Sequence, residues 1–437
     1  MGPDALLAFF MAGMIIVVIL LGIPVAFALA SVPLLFGIIF LGPFTMPLVV
    51  VNAFGLMTNY VFVAVPLFIF MGALMERSGI ADQLYESFYH LLGRLPGGLA
   101  IATVAMATVF GACTGIIGAG VITIGLLALP AMLKRGYSKP LATGAIMVGG
   151  GLGVTIPPSI MLILYGGMAG VSIAKLFIAA IIPGVMLGAL YILYIYIRAK
   201  ISPELGRPIS KEERITGFKL AKLISKSLIP PIILILAVLG SIFFGIVSPS
   251  EAGAMGVLGA LILIVCYRKF TIKLLIEAFT ATLRIASAII FVCLAGQIFV
   301  GIFITMGGGD GLTAFLQSFD LNPMGTVLLM LAIIFVLGMV MDWIALIFIL
   351  VPIYSPILQA IGVDPLYFGI LFCTTLEIAN MTPPFAYSVF YMKTIAPPEV
   401  TVGDMYKGCI PFALVDAGCT ILLLLFPALV LWLPGFM

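Results

Sequence analysis

The sequence predicts an all-α polytopic membrane protein made of two inverted structural repeats, each with a re-entrant helical hairpin and a discontinuous helix. Three observations carry this reading. Of 437 residues, 63% are hydrophobic and 8% charged, against about 25% charged in a soluble globule. Apolar stretches recur along the whole chain, each long enough to cross a hydrocarbon core of about 30 Å. Paired prolines inside two such stretches lie 226 positions apart (383 − 157), Pro157-Pro158 in "GGGLGVTIPPSIMLILYG" and Pro383-Pro384 in "TLEIANMTPPFAYSVFYMK".

Other landmarks share that offset: Pro130 with Pro356, Gly136 with Gly362, and nearly so "GIPVAFALA" at Gly22 with "VSPSEAGAM" at Val247. The chain therefore divides into a first repeat over 1–197, a cytoplasmic linker over 198–226 and a second repeat over 227–437. The opening segment lacks a basic n-region and a small-residue cleavage site, so it reads as mature membrane spans rather than a signal peptide.

Charge orients the repeats. The loop around 76–97 carries Arg77 and Arg94, and "KRGYSKP" carries Lys134, Arg135 and Lys139; the second-half equivalents, "MGGGDGLTAFLQSFDLNP" and "QAIGVDP", have no Lys or Arg. By the positive-inside rule the first pair faces the cytoplasm and the second faces outside, which inverts the halves. The linker's Arg198, Lys200, Arg207, Lys211, Arg214, Lys219, Lys222 and Lys226 place it in the cytoplasm and both termini outside. "RKFTIKLLIEAFTATLRIAS", from Arg268, reads as an amphipathic helix lying at the cytoplasmic interface. The segment 42–60 reads as a span or an interfacial piece.

Both flanks of about 99–133 are cytoplasmic, and its two arms are too short to cross comfortably, so it predicts a hairpin that enters and returns, with its tip near "GACTGIIGAG". The same argument gives a hairpin at about 324–362 with its tip near "GMVMDWIA". Broken helices follow at about 140–168 and 365–393. A proline in a helix interior removes a backbone bond and costs about 3 kcal/mol. Two such breaks at matching places point to a binding site near the midplane, because unwound carbonyls hold cations and half-helix ends attract ions.

The candidates for contact with substrate are Thr114, Gly115, Ser159, Asp342, Trp343 and Asn380. Those for a cation, Na⁺ or H⁺, are Gly149, Gly150, Gly151, Thr155, Pro157, Thr375, Glu377, Thr382 and Pro383. Hydroxyl and carbonyl oxygens suit a hard cation, and an ionisable group inside a membrane is a functional candidate by default. The structural alternatives are that Asp342 caps the hairpin arm after it, that Glu377 is a hydrogen-bonding or ion-pairing residue, and that Asp416 and Glu251 sit near helix ends. The six cysteines show no metal or disulfide spacing, and His90, the one histidine, reads as interfacial. No Walker A pattern or catalytic constellation is present, so neither an enzyme nor a cofactor is expected, nor a nucleic-acid partner.

"ALPAMLKRGYSKPLATGAIMVGGGLGVTIPPSIMLILYG", "SPSEAGAMGVLGALI", "GVDPLYFGILFCTTLEIANMTPP" and "IAPPEVTVGDMYKGCIPF" resemble the large membrane subunit of tripartite ATP-independent periplasmic (TRAP) transporters over essentially the whole chain. The resemblance implies a Na⁺-coupled secondary transporter of elevator-type architecture in a bacterial or archaeal cytoplasmic membrane. It would import an organic acid delivered by a periplasmic binding protein and pair with a separate small four-helix membrane subunit. It also implies that hairpin tips and broken helices form the Na⁺ and substrate sites. The chain departs from the family pattern at Phe385 and Ala386, where a valine-glycine pair is usual, at Ala379, where glycine is common, and at Asn380. A stand-alone carrier or a channel with re-entrant pore loops is the alternative reading.

Overall fold

The structure is a computed structural model that describes residues 3–210, 213, 215–317 and 321–437. Every regular element among these residues is helical, and ten helices are long and apolar enough to cross a membrane. Large apolar side chains lie exposed around the outside, among them Val51, Phe54, Leu258, Leu283 and Leu414. A bilayer is the solvent that removes the cost of such a surface. Lys211 and Arg214 lie outside the described residues.

The first hairpin joins helices Gly98–Thr114 and Ile117–Lys134 through Gly115 and Ile116. Gly115 makes this two-residue turn at φ +63°, where a side chain would be strained, and its N–H caps Gly111 at 3.0 Å. The second hairpin joins Pro323–Gly338 and Trp343–Ala360. The first broken helix is Lys139–Thr155 followed by Ile160–Ala169, and the second is Pro365–Met381 followed by Tyr387–Ile395. Both Pro-Pro peptide bonds are cis.

These elements pack reciprocally across the halves. Ile160–Ala169, after the first break, packs on Trp343–Ala360 of the second hairpin, while Tyr387–Ile395 packs on Ile117–Lys134 of the first. Lys139–Thr155 leans on Val402–Leu425, and Pro365–Met381 leans on Ile173–Ile201. Each break is thus walled by the opposite half.

Small residues let these backbones approach, as expected where packing rather than water exclusion holds helices together. A Cβ built on Gly111 would stand 2.9 Å from the Gly153 Cα, and one on Gly144 would stand 2.7 Å from the Gly408 carbonyl oxygen.

The long helix Ile272–Thr305 packs on Val25–Phe36, Thr45–Met57 and Ala64–Arg77, and also on Trp343–Ala360 of the second hairpin. Here the structure corrects the expectation of a separate interfacial helix after Arg268. From Ile272 on, the stretch is the start of one unbroken 34-residue helix, about 51 Å long at 1.5 Å per residue; Arg268 and Lys269 precede it. No glycine or proline interrupts its first half, so nothing in the backbone separates the polar turns from the apolar ones. The matching first-half segment is broken instead: Thr45–Met57 ends at Thr58, and Asn59 caps a new turn by accepting the Val61 N–H at 3.0 Å. The region 42–60 therefore contains a short turn at Gly42–Phe44 and a distinct helix.

Glu251 does sit at a helix end, completing a capping box with Ser248 at the start of Pro249–Cys266. Asp416 does not sit at an end. It lies mid-helix in Val402–Leu425 and is fully buried. The helix Ile173–Ile201 runs three residues beyond Arg198, so the linker begins inside it.

The Gly111–Gly153 contact sets a test of this packing. Gly111→Ala places a methyl against backbone that cannot rotate away, and should destabilise the protein by about 1–3 kcal/mol in thermal unfolding of the detergent-solubilised protein. Gly240→Ala, whose added Cβ meets open space, should leave the melting temperature unchanged or raised.

Candidate functional site

At the first tip, Thr114 is buried beside Gly72 and Gly153, and Gly115 closes on the first break: a Cβ there would lie 3.2 Å from the Pro158 carbonyl oxygen. Ser159, fully buried, donates its hydroxyl to the Val154 carbonyl and caps Ile160–Ala169 by accepting the Leu162 N–H at 3.5 Å. Thr114, Gly115, Pro158 and Ser159 therefore form one cluster.

The three glycines at 149–151 separate by role. Gly149 faces Ala107 and Gly150 faces Val121, so both admit the first hairpin closely. Gly151 faces the second half: a Cβ there would stand 2.7 Å from Glu377 Oε1. One turn on, the Thr155 hydroxyl donates to Glu377 Oε2, a bond between residues 222 positions apart that joins the two broken helices directly.

At the second tip, Asp342 accepts the Ile344 N–H at 3.0 Å and caps Trp343–Ala360, with Trp343 buried beside it. The Phe385 N–H donates to the Met339 carbonyl at 3.2 Å, which ties this tip to its own break. Thr382 spends its hydroxyl on the Ile378 carbonyl at 2.7 Å. Thr375 is buried on the helix before that break, and Pro383 lies in the break itself. Tyr391 packs against Gly118 of the first hairpin, and both Tyr387 and Tyr391 are within electrostatic reach of Asp342.

Buried polar side chains in this region include several with unpartnered atoms among the described residues. Glu377, 1% exposed, leaves Oε1 without a donor; Asn380, 2% exposed, leaves both amide atoms unpaired; Asp416, 0% exposed, leaves both carboxylate oxygens unpaired. Such groups carry a large desolvation cost unless something compensates it. Asp416 is the residue that the sequence reading set aside as a helix-end group. Its signal was present in "PFALVDAGCTILLLL", a lone carboxylate inside an apolar run. Tyr191, fully buried next to Asp416, carried no comparable signal.

The dipoles of this arrangement have a definite sense. Thr155, Met381, Thr114 and Gly338 end helices and present carbonyls, whereas Ile117, Ile160 and Trp343 begin helices and present N–H groups. Helix C-termini favour cations and N-termini favour anions. Ends of both kinds occur at the hairpin tips and the breaks.

Residues 12–429 match the family described as tripartite ATP-independent periplasmic transporter, DctM component. The chain belongs to this family.

Among its TRAP relatives, the ectoine transporter large permease protein TeaC of Halomonas elongata is 32% identical, covering 97% of this chain and 98% of its own length. The ectoine/5-hydroxyectoine large permease UehC of Ruegeria pomeroyi is also 32% identical over 85% of each chain. The C4-dicarboxylate large permease DctM of Pseudomonas aeruginosa is 27% identical over 89% of each. Among solved structures, the YdaH transporter of Alcanivorax borkumensis superposes with a TM-score of 0.59 at 18% identity over 87% of each chain, which supports the fold. This protein is a TRAP large permease, a multi-pass protein of the inner membrane and a member of a transporter family rather than an enzyme family.

The cap at the second tip can be separated from any transport role. Asp342→Ala should cost about 1 kcal/mol of stability. Asp342→Asn, which still accepts the Ile344 N–H, should keep most of that stability. If Asp342 also contacts solute, Asp342→Asn will lower uptake while its melting temperature stays near wild type.

Proposed function

We propose that this TRAP permease imports a carboxylate-bearing organic solute, with Na⁺ as the coupling ion. The observation that carries the reading is the Thr155–Glu377 bond between two broken helices, each of which meets a hairpin tip. The relatives' names span ectoine, C4-dicarboxylates, 2,3-diketo-L-gulonate and isethionate. The first three carry at least one carboxylate and isethionate carries a sulfonate, so an acidic group is common to them, and this supports an organic acid as the solute.

In this reading, backbone and hydroxyl oxygens around Gly149, Gly150, Gly151, Thr155, Pro157, Thr375, Thr382 and Pro383, with the Glu377 carboxylate, hold the cations. Thr114, Gly115, Ser159, Asp342, Trp343 and Asn380 line the solute site. Cation binding neutralises the carbonyl ends and orders the tips, and the solute carboxylate then meets the helix N-termini. H⁺ is the alternative coupling ion at the same place.

The hairpins and broken helices move together as an elevator against the group built around Ile272–Thr305. The two halves form an inverted repeat whose exchange of conformations gives the outward and inward states. A periplasmic binding protein delivers the solute, and a small four-helix membrane subunit flanks the permease. A related isethionate permease is named DctMQ, and this chain covers 65% of its length.

The test is uptake of labelled organic acids into proteoliposomes holding this chain and its small subunit, with the cognate binding protein outside. Uptake should require both the binding protein and an inward Na⁺ gradient. Uptake indifferent to the binding protein would favour a stand-alone carrier, and ion flux without solute would favour a channel.

A further inference from the structure

Behind the broken helices, Ile173–Ile201, Pro365–Met381 and Val402–Leu425 pack together and enclose two carboxylates, Glu377 and Asp416. The two are electrostatic neighbours, and Tyr191 stands beside Asp416. Glu377 Oε2 takes the Thr155 hydroxyl, but Glu377 Oε1 and both Asp416 oxygens have no donor among the described residues. The Tyr191 hydroxyl and Thr420 Oγ1, one turn from Asp416, are also buried without partners. No Lys, Arg or His is among the groups that act on this pair; Cys373 and Cys419 are its other titratable neighbours.

Two carboxylates removed from water repel each other and need a positive charge between them. We propose that Glu377, Asp416, Tyr191 and Thr420 form a buried Na⁺ site, set behind the breaks and walled by Val402–Leu425. The inference rests on the Na⁺ coupling proposed above and extends it to residues outside the hairpins and the breaks.

The donor set selects the ion. The unpartnered groups are all oxygen, which suits a hard cation. One proton and one Na⁺ leave the pair with the same net charge, but a proton serves two oxygens whereas Na⁺ accepts lone pairs from several, the Tyr191 and Thr420 hydroxyl oxygens included. The site also accounts for Gly151, because a methyl there would push Glu377 Oε1 out of position. Asp416 thereby couples Val402–Leu425 to the breaks, so a cation bound here tightens the bundle around Thr155.

The test is equilibrium binding of radiolabelled Na⁺ to the purified permease in lipid nanodiscs, with K⁺ holding ionic strength constant. Asp416→Asn should bind one Na⁺ fewer than wild type while the remaining Na⁺ binds with unchanged affinity; that retained binding also reports correct folding. Tyr191→Phe should keep the wild-type stoichiometry with one site weakened by about tenfold. Wild-type stoichiometry and affinity in Asp416→Asn would overturn the proposal, and so would loss of every site in a variant that remains monodisperse. A wild-type protein that binds no Na⁺ would instead remove the Na⁺ reading as a whole.

Discussion

A helix broken inside lipid leaves backbone and side-chain polar groups with no water to take them, and the breaks in this chain are satisfied by hydrogen bonds within each half and by one side-chain bond across the halves. The Thr155 hydroxyl reaches across to Glu377, the helix after each break packs on the other half's hairpin, and the helix before each break leans on the other half's long helix. The fold is therefore a mutual enclosure, and the polar region exists because two imperfect helices complete each other.

The enclosure dictates the residue types around it. Backbones must approach to about van der Waals distance, so Gly111 meets Gly153, Gly120 meets Gly150 and Gly144 meets Gly408. Polar groups at the breaks are short hydroxyls, which return to nearby carbonyls, as Ser159 does to Val154 and Thr382 to Ile378. Longer polar side chains appear where the partner lies across the interface, as with Glu377. The group around Ile272–Thr305 has fewer such constraints. There one half uses a continuous helix where the other uses two pieces separated at Asn59.

Much of this was legible in the sequence because membrane insertion writes strong local signals. The hairpin turns fall within "GACTGIIGAG" and "GMVMDWIA", and both breaks fall at the proline pairs, because glycine and proline act on the backbone at their own positions. Asp342 reads equally well as a cap or as a site residue, and its bond to Ile344 shows the cap. Side-chain partnership was not legible. Nothing local tells Gly151, which faces Glu377, from Gly149, which faces Ala107. Asp416 looked like a helix-end residue, whereas its helix runs on to Leu425, just before Phe426 and Pro427. The basic stretch after Arg268 looked interfacial because its composition is amphipathic, whereas its helix continues for lack of any breaker.

If mutual enclosure is what holds the breaks, Thr155 and Glu377 act as a pair. A double-mutant cycle on unfolding stability, with Thr155→Val, Glu377→Met and the double variant, measures this directly. The account predicts a coupling of about 1.5–3 kcal/mol, as for a buried hydrogen bond to a charged group, with the double variant little worse than the more damaging single one. Additive losses would contradict it and would mean that each broken helix is held within its own half.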